Sequence, residues 1–119
     1  MAKEKALDNK VLKYLKTIDA WGLKYWAGAK FTKEGIPDIL ACINGRFFGI
    51  EDKGPTGIPS MLQLKNLEWI RNAEGYGILL YPNDFDRFKS FIESDFTDLH
   101  WYNENVALQK KWIKKLQKI

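Results

Sequence analysis

The sequence predicts an α/β fold in a single domain. Three observations carry that prediction: apolar residues recur at three- and four-residue spacing in several segments, two β-rich runs are joined by Asn44-Gly45, and these patterns alternate as helix, strand, hairpin, helix, strand. A chain of 119 residues has room for one substantial core but not for two. Its 45% apolar and 29% charged residues, with five Trp, five Tyr and seven Phe, describe a folded protein rather than a disordered one.

From Glu4 to about Ile18, Leu7, Val11, Leu12, Tyr14, Leu15 and Ile18 form the stripe of an amphipathic helix that ends near Trp21-Gly22. Glu4 lines up with Asp8 or Leu7 and then Val11. It can close the buried stripe, or sit in solvent as a first-turn acid favoured by the helix dipole. Leu23 to Ala27, bounded by glycines, reads as a strand, and the Lys-rich stretch up to Gly35 reads as a loop. Asp38–Ile43 and Arg46–Glu51 flank Asn44-Gly45, the strongest short-range hairpin signal. Two Gly and two Pro between Lys53 and Ser60 mark a loop, after which Ser60 can cap a helix running to about Ala73. Gly75 and Gly77 stop that helix, and Gly77–Tyr81 is a short buried strand ended by Pro82. Asn83 or Asp84 starts a helix to about Glu93 with Phe85, Phe88, Phe91 and Ile92 inward. A last helix, from about Glu104 to Lys118, carries Leu108, Trp112, Leu116 and Ile119 on one stripe. It can pack on the domain, form a dimer contact, or meet DNA or a membrane surface.

The formal net charge of +4 is local: residues 110–119 hold five Lys and no acid. Residues 1–37 form a second basic region, with eight Lys against four acids. Between Asp84 and Glu104 six acids face Arg87 and Lys89, so that segment should turn away from any nucleic acid. The single Cys42 allows no internal disulfide and, with only His100 beside it, no Cys/His zinc site, so any metal must be held by oxygen. Cys42 lies in an apolar run and reads as a small core residue. No apolar run is long enough to span a bilayer and no signal-peptide core follows the N-terminus, so an intracellular protein without a membrane partner is expected.

The chemistry concentrates between Gly35 and Pro55. Residues two apart in a strand share a face, so Glu51 and Lys53 project to one side and Asp52 to the other. Counting back from the turn, Ile43 pairs with Arg46 and Asp38 falls opposite Glu51. Adjacent carboxylates repel unless a positive charge lies between them, and a magnesium ion supplies one while keeping waters for a substrate phosphate. Lys53 could stabilise charge on that phosphate or orient the attacking water. The plain alternative is a turn aspartate and ordinary charges on an exposed strand.

The series Gly35-Ile36-Pro37-Asp38, Glu51-Asp52-Lys53-Gly54-Pro55 and Ser60-Met61-Leu62-Gln63 resembles the virus-type replication-repair nuclease (VRR-NUC) family of the PD-(D/E)xK superfamily. The resemblance covers about residues 4–81, with residues 83–119 as a helical extension without a motif. It implies a restriction-endonuclease-like core, a mixed sheet with flanking helices, and Mg2+ or Mn2+ held by Asp38, Glu51 and the Asp52 backbone carbonyl. By the same resemblance Lys53 acts beside the nucleophilic water, Gln63 lies near the scissile phosphate or Lys53, and Glu4 joins the metal shell directly or through water. Asp52 departs from the family pattern, where an apolar residue is usual. Its side chain then faces a less buried surface or pairs with a lysine.

The expected activity is that of a metal-dependent, structure-selective DNA endonuclease resembling viral Holliday-junction resolvases, which work as homodimers on branched DNA. Flap- or nick-directed cutting, and a non-catalytic DNA-binding or assembly protein on the same fold, are the competing readings. Lys24, Lys30 and Lys33 are the expected phosphate contacts.

Overall fold

The structure is a computed structural model that describes residues 2–26 and 33–118. It is a mixed α/β fold. In chain order the elements are α1 (Ala2–Thr17), β1 (Trp21–Lys24), β2 (Ile39–Ile43), β3 (Arg46–Asp52), α2 (Met61–Asn72), β4 (Tyr76–Leu80), a single 3-10 turn (Pro82–Asp84), α3 (Phe85–Glu93) and α4 (Leu99–Gln117). The sheet order is β1-β2-β3-β4, antiparallel except for the parallel β3–β4 pair that α2 connects.

The hairpin forms as its turn residues dictate. Asn44 and Gly45 take φ of 49° and 77°, the left-handed pair that matches the twist of two antiparallel strands. Ile43 then pairs with Arg46 and Ile39 with Ile50. One residue further, Asp38 and Glu51 lie side by side at the open end of the hairpin, as the count from the turn predicts.

Alternation along the strands gives the sheet two packed faces. On one, Ile39, Ala41, Ile43, Phe48, Ile50, Ile78 and Leu80 meet Leu7, Val11 and Leu15 of α1, the phenylalanines of α3, and Trp101. On the other, Leu79 meets Leu64 and Leu67 of α2 and Ile113 of α4. Gly77 is required here because a Cβ would collide with the backbone carbonyl of Leu67, and α2 could not lie so close to β4.

Three helices end within a residue of the sequence expectation, each on a left-handed residue that is not glycine. The amides of Asp19 and Ala20 donate to the carbonyls of Lys16 and Leu15, with Asp19 left-handed at φ 56°, so α1 stops at Thr17 and the first strand begins at Trp21. The same paired bonds close α2 through Glu74 (φ 71°) and Gly75, and α3 through Asp95 (φ 56°) and Phe96. The strand expected over Leu23–Ala27 therefore lies earlier, and its predicted end at Ala27 falls outside the described residues.

Helix α4 begins five residues before the predicted start and buries a different stripe: Trp101, Asn105, Gln109 and Ile113, at four-residue spacing. Leu108, Trp112 and Leu116, from the apolar stripe read in the sequence, are only partly buried. Strand β4 explains the choice. It is an edge strand whose outward backbone groups need partners. Asn105 accepts from the Leu79 amide (3.0 Å) and donates to the Leu79 carbonyl (2.7 Å), and Gln109 donates to the Gly77 carbonyl (2.8 Å). Two amide side chains thus stand in for a fifth strand. Arg71 donates to the Oε1 of Gln109 and completes the set.

Cys42 is exposed rather than part of the core. It stands between Trp21 and Phe47, its partners on the two neighbouring strands, both exposed, on the half of the sheet that α2 and α4 leave open. No helix among the described residues is long and apolar enough to cross a membrane.

Candidate active site

The open end of the β2–β3 hairpin meets the N-terminal turns of α1, and acidic groups from both converge there. Glu4, Asp38 and Glu51 each present a carboxylate oxygen, all within 4.8 Å of one another. Glu51 projects from the end of β3 and is buried. Asp38 follows Pro37 just before β2, and its Oδ2 accepts the Asp52 amide at 3.0 Å. That bond ties the two strand ends together where ladder pairing stops. Because the N–H and C=O of one extended residue point the same way, the Asp52 carbonyl also faces Asp38.

Lysines hold the cluster on two sides. Lys53, largely buried, places its Nζ 3.3 Å from Glu51 Oε2, on the face that the strand alternation predicts. Lys24, opposite Ile39 on β1, donates to Asp8 Oδ2 at 2.6 Å and lies 3.5 Å from Asp38 Oδ1. The structure thus places Lys24, one of the expected phosphate contacts, at the edge of the carboxylate cluster. Burial pulls the Lys24 ammonium down, but the hydrogen bond to Asp8 and the charge of Asp38 outweigh it and hold it above its usual range.

Asp8 is the site residue that the sequence reading missed. It is buried one helical turn after Glu4 on the same face of α1, and that spacing was the available signal. Its neighbour across the packing layer is Asp52, which is 0% exposed. Burial first, and then Asp8 beside it, push the Asp52 carboxyl well above the usual range. Among the described residues Asp52 neither faces solvent nor pairs with a lysine; it is a buried acid behind the cluster.

The remaining carboxyls are perturbed in the same sense. Burial, followed by the charge of Asp38, raises Glu51 to about 8 despite Lys53. Burial raises Asp38 more than Lys24 lowers it. Glu4 is raised by burial and then by Asp38. Among the described residues neither Oε1 nor Oε2 of Glu51 has a hydrogen-bond donor, although both are buried. Undersupplied carboxyl oxygens at this spacing are what a hard divalent cation would satisfy, displacing the Glu51 proton, so the donor set fits one.

Gln63 closes the start of α2. Its Oε1 accepts the Ser60 backbone amide (2.9 Å) while its backbone amide donates to Ser60 Oγ (3.1 Å), a closed capping box. Lys33 is exposed, with its backbone bonded to the Tyr25 hydroxyl, and Lys30 lies outside the described residues. In comparison with known proteins, the chain matches no family model, no curated protein and no solved structure.

Proposed function

We propose that this chain is a metal-dependent DNA endonuclease of the PD-(D/E)xK type, and that it cuts branched DNA in the manner of a junction resolvase. The observation that carries this reading is the convergence of Glu4, Asp38 and Glu51 within 4.8 Å beside Lys53, at the end of a hairpin whose sequence resembles the VRR-NUC motifs. Glu4, Asp38, Glu51 and the Asp52 carbonyl would hold Mg2+ or Mn2+. When bound, the cation supplies Lewis-acid polarisation of the scissile phosphate oxygens and neutralises the charge that develops there.

The chain's own residues supply the rest. Lys53 lines the cleft that opens beside Glu4, so its ammonium can donate to a phosphate oxygen or to the attacking water. Water adds at phosphorus and gives up one proton to solvent, the bond to the leaving sugar oxygen breaks, and that oxygen takes up a proton from solvent. Asp38 is held in place by the Asp52 amide and by Lys24, so two of its contacts are formed before substrate arrives. Gln63 supports the start of α2 through its capping box.

Paired cutting of a junction calls for two copies. The open half-face carrying Trp21, Leu23, Cys42 and Phe47 is the surface we assign to the second chain, since an exposed apolar patch of this kind marks an interaction site.

Purified protein incubated with four-way junction, flap, nicked and linear duplex DNA, in Mg2+, Mn2+ or EDTA, tests the proposal. Symmetric nicks in the junction that require metal and vanish in Lys53→Ala are expected, with a sedimentation mass of two chains. Cutting that survives Lys53→Ala, or no cutting with either metal, would sink it.

A further inference from the structure

A row of three clefts, each sharing wall residues with the next, lies between the carboxylate cluster and α4. Its first cleft, of about 490 Å3, opens beside Glu4 and Lys53 and is walled by the loop from Gly54 to Ile58. A second, of about 460 Å3, shares Pro55, Thr56 and Gly57 with the first and runs on to Tyr81 and Trp112. A third, of about 160 Å3, shares Leu108 and Trp112 with the second and is bounded by Lys111 and Lys115. The shared wall is fixed, because the Tyr81 hydroxyl donates to the Gly57 carbonyl at 2.8 Å.

The far end has the chemistry of a strand-binding platform. Trp112 is partly exposed because Asn105 and Gln109, not Leu108 and Trp112, turn α4 inward. The ammonium of Lys115 lies 5.0 Å from the Trp112 ring centre. Lys111, Lys114, Lys115 and Lys118 are all exposed and recur at three- and four-residue spacing. Residues 110–119 carry no acid. Asp84 is the one acid lining the second cleft.

We infer that this furrow carries one single strand of a branched polynucleotide away from the cluster, its phosphates along Lys111 and Lys115 and a base against Trp112. Clefts of a few hundred Å3 accept nucleotides one at a time and are too small for a duplex. An aromatic face beside lysines is the combination that binds single strands without reading sequence. The inference rests on the reading of the cluster as a phosphodiester-cleaving site and adds to it the path of a single-stranded arm, which a flapped or tailed branch carries and a fully paired four-way junction does not.

Fluorescence anisotropy in EDTA tests it with two probes: a blunt DNA hairpin, and the same hairpin bearing a single-stranded oligothymidine tail. The tail should tighten binding about tenfold, the order expected for one stacked base with its phosphates. Lys111→Ala/Lys115→Ala should remove that advantage and lower the salt slope on the tailed probe by about 1.4, at about 0.7 per phosphate contact, while leaving the blunt probe unchanged. Trp112→Phe should keep most of the tail's advantage and Trp112→Leu should lose it, with thermal melts confirming that both fold. A tail that adds nothing, or a double variant that weakens both probes equally, overturns the inference. Tail binding without cutting under any metal would keep the furrow and remove the nuclease reading. Cutting without tail preference would do the reverse.

Discussion

Replacing Glu51 by Gln should make the metal-free protein more stable at pH 8 while abolishing its response to a divalent cation. In the fold, burial and the Asp38 charge lift the Glu51 carboxyl from 4.5 to about 8. Between those values the folded chain keeps a proton that the unfolded chain has released, so the folded state binds more protons and stability falls as pH rises. Stability from this group is complete below about pH 4.5 and is lost on passing through about 8. One proton changes stability by about 1.4 kcal/mol per pH unit, so this window allows at most about 5 kcal/mol. Asp38, Glu4 and Asp52 are displaced in the same direction and add to the trend. Urea denaturation in EDTA at intervals from pH 5 to 8.5 measures the slope. The wild type should weaken by a few kcal/mol across it, the Gln variant by distinctly less, and Mn2+ should restore only the wild type. A wild-type curve that is flat or rising in EDTA would refute the reasoning, since burial would then impose no cost on the Glu51 charge.

Lys53→Ala should lower turnover on a junction substrate by about 100-fold or more, with DNA affinity in EDTA changed only a few-fold, because its ammonium acts where charge develops. Steady-state cleavage and anisotropy separate the two effects. Asn105→Leu should cost about 2–4 kcal/mol in urea denaturation, since the Leu79 amide and carbonyl are left buried without partners. An unchanged midpoint would mean that β4 needs no cover. Glu74→Gly should stabilise by about 1 kcal/mol, because Glu74 sits at φ 71° where a side chain is strained and glycine is not. A lower melting temperature would contradict that account of the helix end.

The hairpin register was legible because Asn44-Gly45 permits one tight turn, and a fixed turn leaves Asp38 no partner but Glu51. The faces of Glu51, Asp52 and Lys53 followed from strand alternation alone. What Asp52 meets did not, because its neighbour Asp8 comes from a helix 44 positions earlier in the chain, and only tertiary packing brings the two together. Asp8 itself was visible as the residue one turn after Glu4 but carried no motif. The inward face of α4 was not legible for a related reason. Asn105 and Gln109 look like solvent-facing amides until β4 is known to be an unpaired edge, at which point burying them is cheaper than leaving its backbone bare. Gln63 shows the reverse hazard: Ser60-x-x-Gln63 is both a family motif and a sufficient helix cap, and the geometry uses it as the cap. The helix ends were read to within a residue, but the left-handed conformations of Asp19, Glu74 and Asp95 were not, because glycine, the usual signal for them, is absent from all three positions.

The central claim is that Glu4, Asp38 and Glu51 form one divalent-cation site, and Mn2+ titration followed by electron paramagnetic resonance tests it without any substrate. Saturable binding at neutral pH is expected for the wild type and for Lys53→Ala, with loss of that binding in Asp38→Asn and in Glu51→Gln. Absence of saturable binding in the wild type, or binding unchanged in Glu51→Gln, would contradict the account.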